Sequence, residues 1–138
     1  MVGLLRDESA ARGLADVPAL VDNARRSGLE VTLSVRGRLP DVDAAPGQTG
    51  YRIVQEALTN VLRHSGARSA DVHVEVGDRV YVEVRDDGGP TDQPTATLGS
   101  GLRGMRERAE AVGGSVIAGP SDGGGWRVSA DLPTRAVR

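Results

Sequence analysis

Apolar residues recur at helical spacing over residues 14–27, where Leu14, Val17, Leu20, Val21 and Ala24 fall on one stripe. Pro18 sits in the first turn, where proline is tolerated, and Gly28 suits the stop. The period then shortens to two. Leu29, Val31, Leu33 and Val35 alternate with Glu30, Thr32, Ser34 and Arg36, the pattern of a half-buried strand. Residues 37–50 are rich in Pro, Gly and Asp and read as a loop. The strongest helical signal covers residues 51–65. Val54, Ala57, Leu58, Val61 and Leu62 form its apolar stripe, and Arg52, Glu56, Thr59, Asn60 and Arg63 cluster on the opposite face. Gly66 ends it. Two alternating runs follow, Val72, Val74 and Val76, then Val80, Val82 and Val84, joined by Gly77-Asp78 as in a tight hairpin. Residues 86–99 read as a loop. Residues 101–112 form a further amphipathic helix that buries Leu102, Met105, Ala109 and Val112, with Gly113-Gly114 as its stop. Residues 115–118 and 126–132 are the last strands, joined by a glycine-rich turn.

The order is helix, strand, helix, strand, strand, helix, strand, strand. Hairpins mixed with helices predict an α/β (α+β) two-layer sandwich, a mixed and mostly antiparallel sheet covered on one face by helices. The 138 residues are enough for one domain with a real core. Aromatic residues make up only 2%, namely Tyr51, Tyr81 and Trp126, so that core must be aliphatic.

Composition removes several chemistries. A net charge of -2 leaves no basic footprint for nucleic acid. The cysteine count is 0, which excludes disulfides and thiolate metal sites, and 2 histidines are too few for a His-rich centre. No apolar run reaches the roughly 18 residues of a membrane span. The first nine residues lack a basic segment followed by an apolar one, so no secretory leader is expected. All 17 basic residues are arginines. Without lysine there is no Walker A loop, no Schiff base and no strand lysine of the eukaryotic-type kinases.

Three stretches carry candidate chemistry. Glu56 and Asn60 are four apart and project from one side of their helix. A carboxylate and an amide oxygen are hard ligands suited to Mg²⁺, which keeps several waters and takes few protein groups. Arg63 lies one turn further on, with His64 beside it, and both are residue types that meet phosphate oxygens. The same face also reads as solvated polar surface with one salt bridge. The second stretch is Arg85-Asp86-Asp87-Gly88-Gly89, where an alternating strand runs into two carboxylates and two glycines. A strand-end carboxylate can accept from an exocyclic amine, and Gly88 lets a flat ring approach the backbone. An ordinary Asp-Gly turn looks the same. The third is Leu98-Gly99-Ser100-Gly101-Leu102-Arg103-Gly104-Met105, where glycines open a helix whose free N–H groups favour an anion. Glycine-rich helix starts are common, and no strand leads directly into this one, unlike the dinucleotide-binding fingerprint.

In this order the three stretches resemble the GHKL (Bergerat-like) ATPase fold of gyrases, mismatch-repair ATPases and histidine kinases. Tyr51-Arg52-Ile53-Val54-Gln55-Glu56-Ala57-Leu58-Thr59-Asn60 and Gly101-Leu102-Arg103-Gly104-Met105-Arg106-Glu107-Arg108 look like one group within it. That group is the sensor histidine kinases paired with response regulators bearing helix-turn-helix output domains. The resemblance covers roughly residues 13–133. It implies ATP and Mg²⁺ as cofactors, with Asn60 holding Mg²⁺ and Glu56 orienting a metal-bound water or the attacking group. Asp86 would bind the adenine amine, and Gly88 would give room. Gly99, Ser100, Gly101 and Leu102 would meet the nucleotide from a mobile lid, Arg63 and His64 would lie near the phosphates, and Met105 would line the base pocket or the core beneath it.

The chain departs from the family pattern at three places. Pro90 stands where the last glycine of Asp-x-Gly-x-Gly is common, the lid over residues 89–98 is short, and Trp126 stands where many relatives place a threonine near the adenine. His73 alternates with the valines of its strand and reads as solvent-facing. Neither His64 nor His73 lies in the context of the family's acceptor helix, and neither that helix nor a dimerising bundle is found. The resemblance therefore implies a catalytic domain separated from its parent, or a fragment with an artificial start. Its partners would be the phospho-acceptor helical domain of the same kinase and a downstream response regulator. Expected are a monomer, slow turnover alone, no membrane contact by this segment, and a cytoplasmic location even where a parent is membrane-anchored. Phosphoryl transfer needs positioning and charge neutralisation more than covalent help. Alternatives are a GHKL serine kinase of the anti-sigma-factor kind, against which the Gly-Leu-x-Gly-Met-x-Glu-Arg run argues, and a degenerate non-catalytic binding module. A gyrase-like hydrolase needs a following transducer domain, for which 138 residues leave no room.

Overall fold

Alternation builds one sheet. In the computed structural model, which describes residues 12–88, 99–121 and 124–135, five strands are present: β1 (Glu30–Arg36), β2 (Ser69–Val76), β3 (Arg79–Asp86), β4 (Ser115–Pro120) and β5 (Trp126–Pro133). Their order is β1-β2-β3-β5-β4. Only the β1–β2 pair is parallel, because the connection between them carries a helix; the other pairs are antiparallel. The sheet is therefore mixed and mostly antiparallel, as the sequence predicts.

The registers stack equivalent residues into rows. Leu33, Val72, Val84, Val128 and Ala118 make one row across the sheet, and Val35, Val74, Val82, Ala130 and Val116 the next. These rows face the helices α1 (Val17–Arg26), α2 (Ala44–Asn60) and α3 (Gly99–Ala111). Val17, Val21, Ile53, Val54, Leu58, Met105 and Ala109 bury the opposing helix stripes. Each of these side chains larger than alanine contributes about 1.5–3 kcal/mol by leaving water. The core is aliphatic, with Tyr51 as its one fully enclosed aromatic among the described residues. The other face of the sheet is polar. His73 lies there, half-buried, with a ring nitrogen 3.3 Å from Glu75 Oε2 and its ring tilted against Tyr81.

Three expectations need correction. The loop after β1 is shorter than residues 37–50, because α2 already begins at Ala44. Gly50, which reads as a breaker, is a packing position: a Cβ on it would stand 2.8 Å from Leu14 Cδ2. Thr49 Oγ1, also buried, donates back to the Ala45 carbonyl within the same helix. Leu62 is 43% exposed rather than part of the apolar stripe. The helix widens into a π turn at Val61–Ser65, ended by Gly66 in the left-handed region, and that turn swings Leu62 off the stripe. Val35, at the end of the edge strand β1, is also partly exposed.

Candidate functional site

The valine alternation of β3 runs through Val80, Val82 and Val84 and arrives at Asp86 on the helix-covered face. Asp86 is therefore an inward-facing carboxylate, 5% exposed, in a row otherwise built for apolar groups. Its Oδ1 accepts a hydrogen bond from the Gly88 N–H at 2.8 Å and another from the Trp126 N–H at 3.3 Å. Burial pushes its carboxyl above the ordinary aspartate range; the two backbone N–H groups oppose that rise, and neighbouring Asp87 adds to it.

The backbone around Asp86 is interlocked with the loop before β5. Gly88 has φ +89° and Gly125 has φ +93°, conformations that L side chains rarely adopt. A Cβ on Gly88 would lie 2.5 Å from the Gly125 nitrogen, and one on Gly125 would overlap the Asp86 carbonyl. Gly125, directly before Trp126, is thus required by the fit against Asp86. From sequence alone Gly124 and Gly125 read only as part of a turn; a glycine directly before an inward-facing strand residue is the signal that points to the closer fit.

At the helices, the first turn of α3 comes down on the polar face of α2. A Cβ on Gly101 would meet Glu56 Oε2 at 3.2 Å and Asn60 Nδ2 at 3.7 Å. Gly99, Ser100 and Gly101 all belong to that first turn, whose N–H groups have no partner within the helix. The structure therefore brings Glu56, Asn60 and Gly101 together. Leu102 is half-buried against the core, and Met105, at 1% exposure, is inside it. Of the two places expected for Met105, it takes the core. Arg63 is exposed in the π turn beyond Asn60. The His64 and Ser100 side chains, together with Pro90 and the rest of the lid over residues 89–98, lie outside what the structure describes.

The donor set limits the ions the site can hold. Among the described residues, no three or more His, Cys, Asp or Glu side chains converge as a metal cage. One carboxylate and one amide fit a cation whose remaining ligands are water and phosphate oxygens, which is the habit of Mg²⁺. A cavity of about 210 Å³ opens beside Asp86, touching Ser69, Ser121 and Gly124. Two larger cavities, of about 550 and 640 Å³, lie at the far end of the sheet around Gly77–Arg79 and include none of these groups. Among the described residues, no helix is long and apolar enough to cross a membrane.

Residues 48–136 match the family described as histidine kinase-, DNA gyrase B-, and HSP90-like ATPase. The chain is 39% identical over 132 residues to the sensor histidine kinase YxjM of Bacillus subtilis, covering 93% of this chain and 32% of that protein. It spans about a third or less of the curated relatives it matches. The ATP binding domain of PrrB from Mycobacterium tuberculosis has the same fold, with a TM-score of 0.61 at 23% identity over 85% of this chain and 89% of that one. The histidine kinase domain of the Erythrobacter litoralis EL346 blue-light activated histidine kinase superposes with a TM-score of 0.57 at 25% identity, covering 85% and 57% of the two chains.

Proposed function

This chain belongs to the histidine kinase-, DNA gyrase B-, and HSP90-like ATPase family, among the sensor histidine kinases, and on that premise we propose that it binds Mg-ATP and passes the γ-phosphoryl group to a histidine on a helical partner domain. The observation that carries this reading is the approach of the α3 first turn to Glu56 and Asn60. Backbone N–H groups, the Glu56 carboxylate and the Asn60 side-chain amide are thereby gathered at one point, and groups of these kinds are what a polyphosphate and its cation require. Asp86 supplies the other end of the site. Its Oδ1 is held by two backbone N–H groups, and we assign the base amine to Oδ2.

In this reading Asn60 and Glu56 hold the cation's protein side, directly or through water. Bound there, Mg²⁺ neutralises phosphate charge during transfer. Gly99, Ser100 and Gly101 present amides to the phosphates, and Gly101 keeps the contact close because it has no side chain. Glu56 also orients the attacking imidazole. Arg63 adds positive charge from the π turn, with His64 and Leu102 nearby. The acceptor histidine comes from the phospho-acceptor and dimerisation domain of the same kinase, and a response regulator receives the phosphoryl group next. Without that domain, the chain binds nucleotide and turns over slowly.

The test is transfer of label from γ-labelled ATP to a separately supplied histidine-bearing helical domain of the same kinase type. Label should appear on the acceptor with wild-type chain and fall at least about 100-fold with Asn60→Ala, the loss of a group that acts on the transferring phosphate. Nucleotide binding with no label transfer would point to a binding module.

A further inference from the structure

The last row of the covered face is unlike the others. Val31 pairs with Ala70, Ala70 with Asp86, and Trp126 with Pro120. The register that sets Arg85 opposite Arg127 continues one step to set Asp86 opposite Trp126. Residues opposite each other on antiparallel strands leave the sheet on the same side, with Cβ atoms about 4.5–5.5 Å apart. The indole of Trp126 and the carboxylate of Asp86 are therefore cross-strand neighbours on the helix-covered face.

Core filling alone does not account for an indole here. Further along β5 the inward positions are Val128, Ala130 and Leu132, all buried and all aliphatic. Trp126 packs against that core but stays half-buried, because β3 ends and β5 begins at this row. Aromatics are scarce in the chain, with one Trp, two Tyr and no Phe. Tyr51 is enclosed elsewhere in the core, and Tyr81 lies on the polar face with its hydroxyl donating to Glu83. The one Trp stands beside the buried carboxylate at the sheet's mouth.

We propose that the Trp126 side chain is a specificity-determining wall of the nucleotide site, presenting a flat apolar surface to an amino-bearing aromatic base whose amine is taken by Asp86. This rests on the nucleotide reading above. The pair gives two-point recognition: the carboxylate requires a donor on the ring edge, and the indole requires a ring. By displacing water next to Asp86, the indole also strengthens the hydrogen bond that the carboxylate accepts. An aminopurine nucleotide satisfies both demands.

Because Trp126 is the only tryptophan, its emission reports on this wall alone. The experiment titrates the chain with Mg-ATP and follows heat and tryptophan fluorescence together. Stacking should change the emission with the same midpoint as the heat. Trp126→Thr should bind Mg-ATP about tenfold more weakly, within the range of base–aromatic stacking. Trp126→Phe, which keeps a ring, should stay within about threefold of wild type and covers the case in which the threonine variant is poorly folded. Heat of binding with unchanged emission and full affinity in Trp126→Phe and Trp126→Thr would overturn the proposal and leave the nucleotide reading standing. No heat with the wild type would overturn that reading, and this inference with it.

Discussion

At the Asp86 end of the site the glycine contacts are backbone against backbone. Gly88 and Gly125 sit in the left-handed region; Gly125 fills the space a Gly88 side chain would need, and the Asp86 carbonyl fills the space a Gly125 side chain would need. The carboxylate is buried and its Oδ1 is held by the Gly88 and Trp126 N–H groups. At the Gly101 end the nearest neighbours are the tips of two side chains, Glu56 and Asn60, which can turn aside. Among the described residues, no glycine of α3 meets α2 backbone against backbone. The difference separates two tasks: a rigid end suits recognition of a fixed shape such as a base, and an end built from side-chain tips and a helix start suits groups that shift during transfer.

The largest expected effect comes from breaking the rigid end. Gly125→Ala forces a Cβ into the Asp86 carbonyl at an unfavourable φ and should lower unfolding free energy by about 2–3 kcal/mol, while abolishing measurable ATP binding. Chemical denaturation and a binding titration read both. Gly101→Ala probes the adaptable end. Alanine gains about 0.5–1 kcal/mol over glycine in a helix, and Glu56 Oε2 has only to move by tenths of an ångström. Stability should therefore stay within about 1 kcal/mol of wild type. The increase in ATP affinity that Mg²⁺ provides should shrink several-fold, read by titrating with and without the ion.

The smallest effect is a pH dependence that belongs to the rigid end alone. Asp86 has its carboxyl raised by burial, so the free folded chain holds that proton more tightly than the unfolded chain. This group's contribution to stability is therefore complete below the unfolded value and is lost as pH rises through the folded one. Binding of an amine runs the opposite way and weakens as Asp86 protonates. Denaturation and ATP titrations between about pH 4 and 7 should show the two trends opposed, and Asp86→Asn should flatten both.

Much of the architecture was legible because period and burial agree: Val72 and Val74 of β2, Val80, Val82 and Val84 of β3 and the stripe Val54–Ala57–Leu58–Val61 all lie in the core, with Val76 partly buried against it. Glu56, Asn60 and Gly101 could be grouped from spacing and resemblance, and the structure brings them together. What sequence could not show was contact between distant segments. Gly50 reads as a loop residue because a glycine needed for helix packing looks like a glycine needed for a turn. Leu62 kept the helical period, but a π turn breaks that period without any sequence mark. Asp86 could have been seen as buried, since it continues the parity of Val80, Val82 and Val84; the strand's apparent end at Arg85 hid that. Trp126 was visible only as a departure from a pattern until the β3–β5 register, continued one step past Arg85–Arg127, and the Trp126 N–H on Asp86 Oδ1 set it beside that carboxylate.

The most direct test of the account is a calorimetric titration with ATP, with and without Mg²⁺, on wild type and Asp86→Ala. The account predicts saturable binding that Mg²⁺ strengthens and that weakens at least about 10- to 100-fold in the variant, the worth of a charged hydrogen bond. No binding by a folded wild-type chain at millimolar nucleotide, or equal binding by the variant, would contradict it.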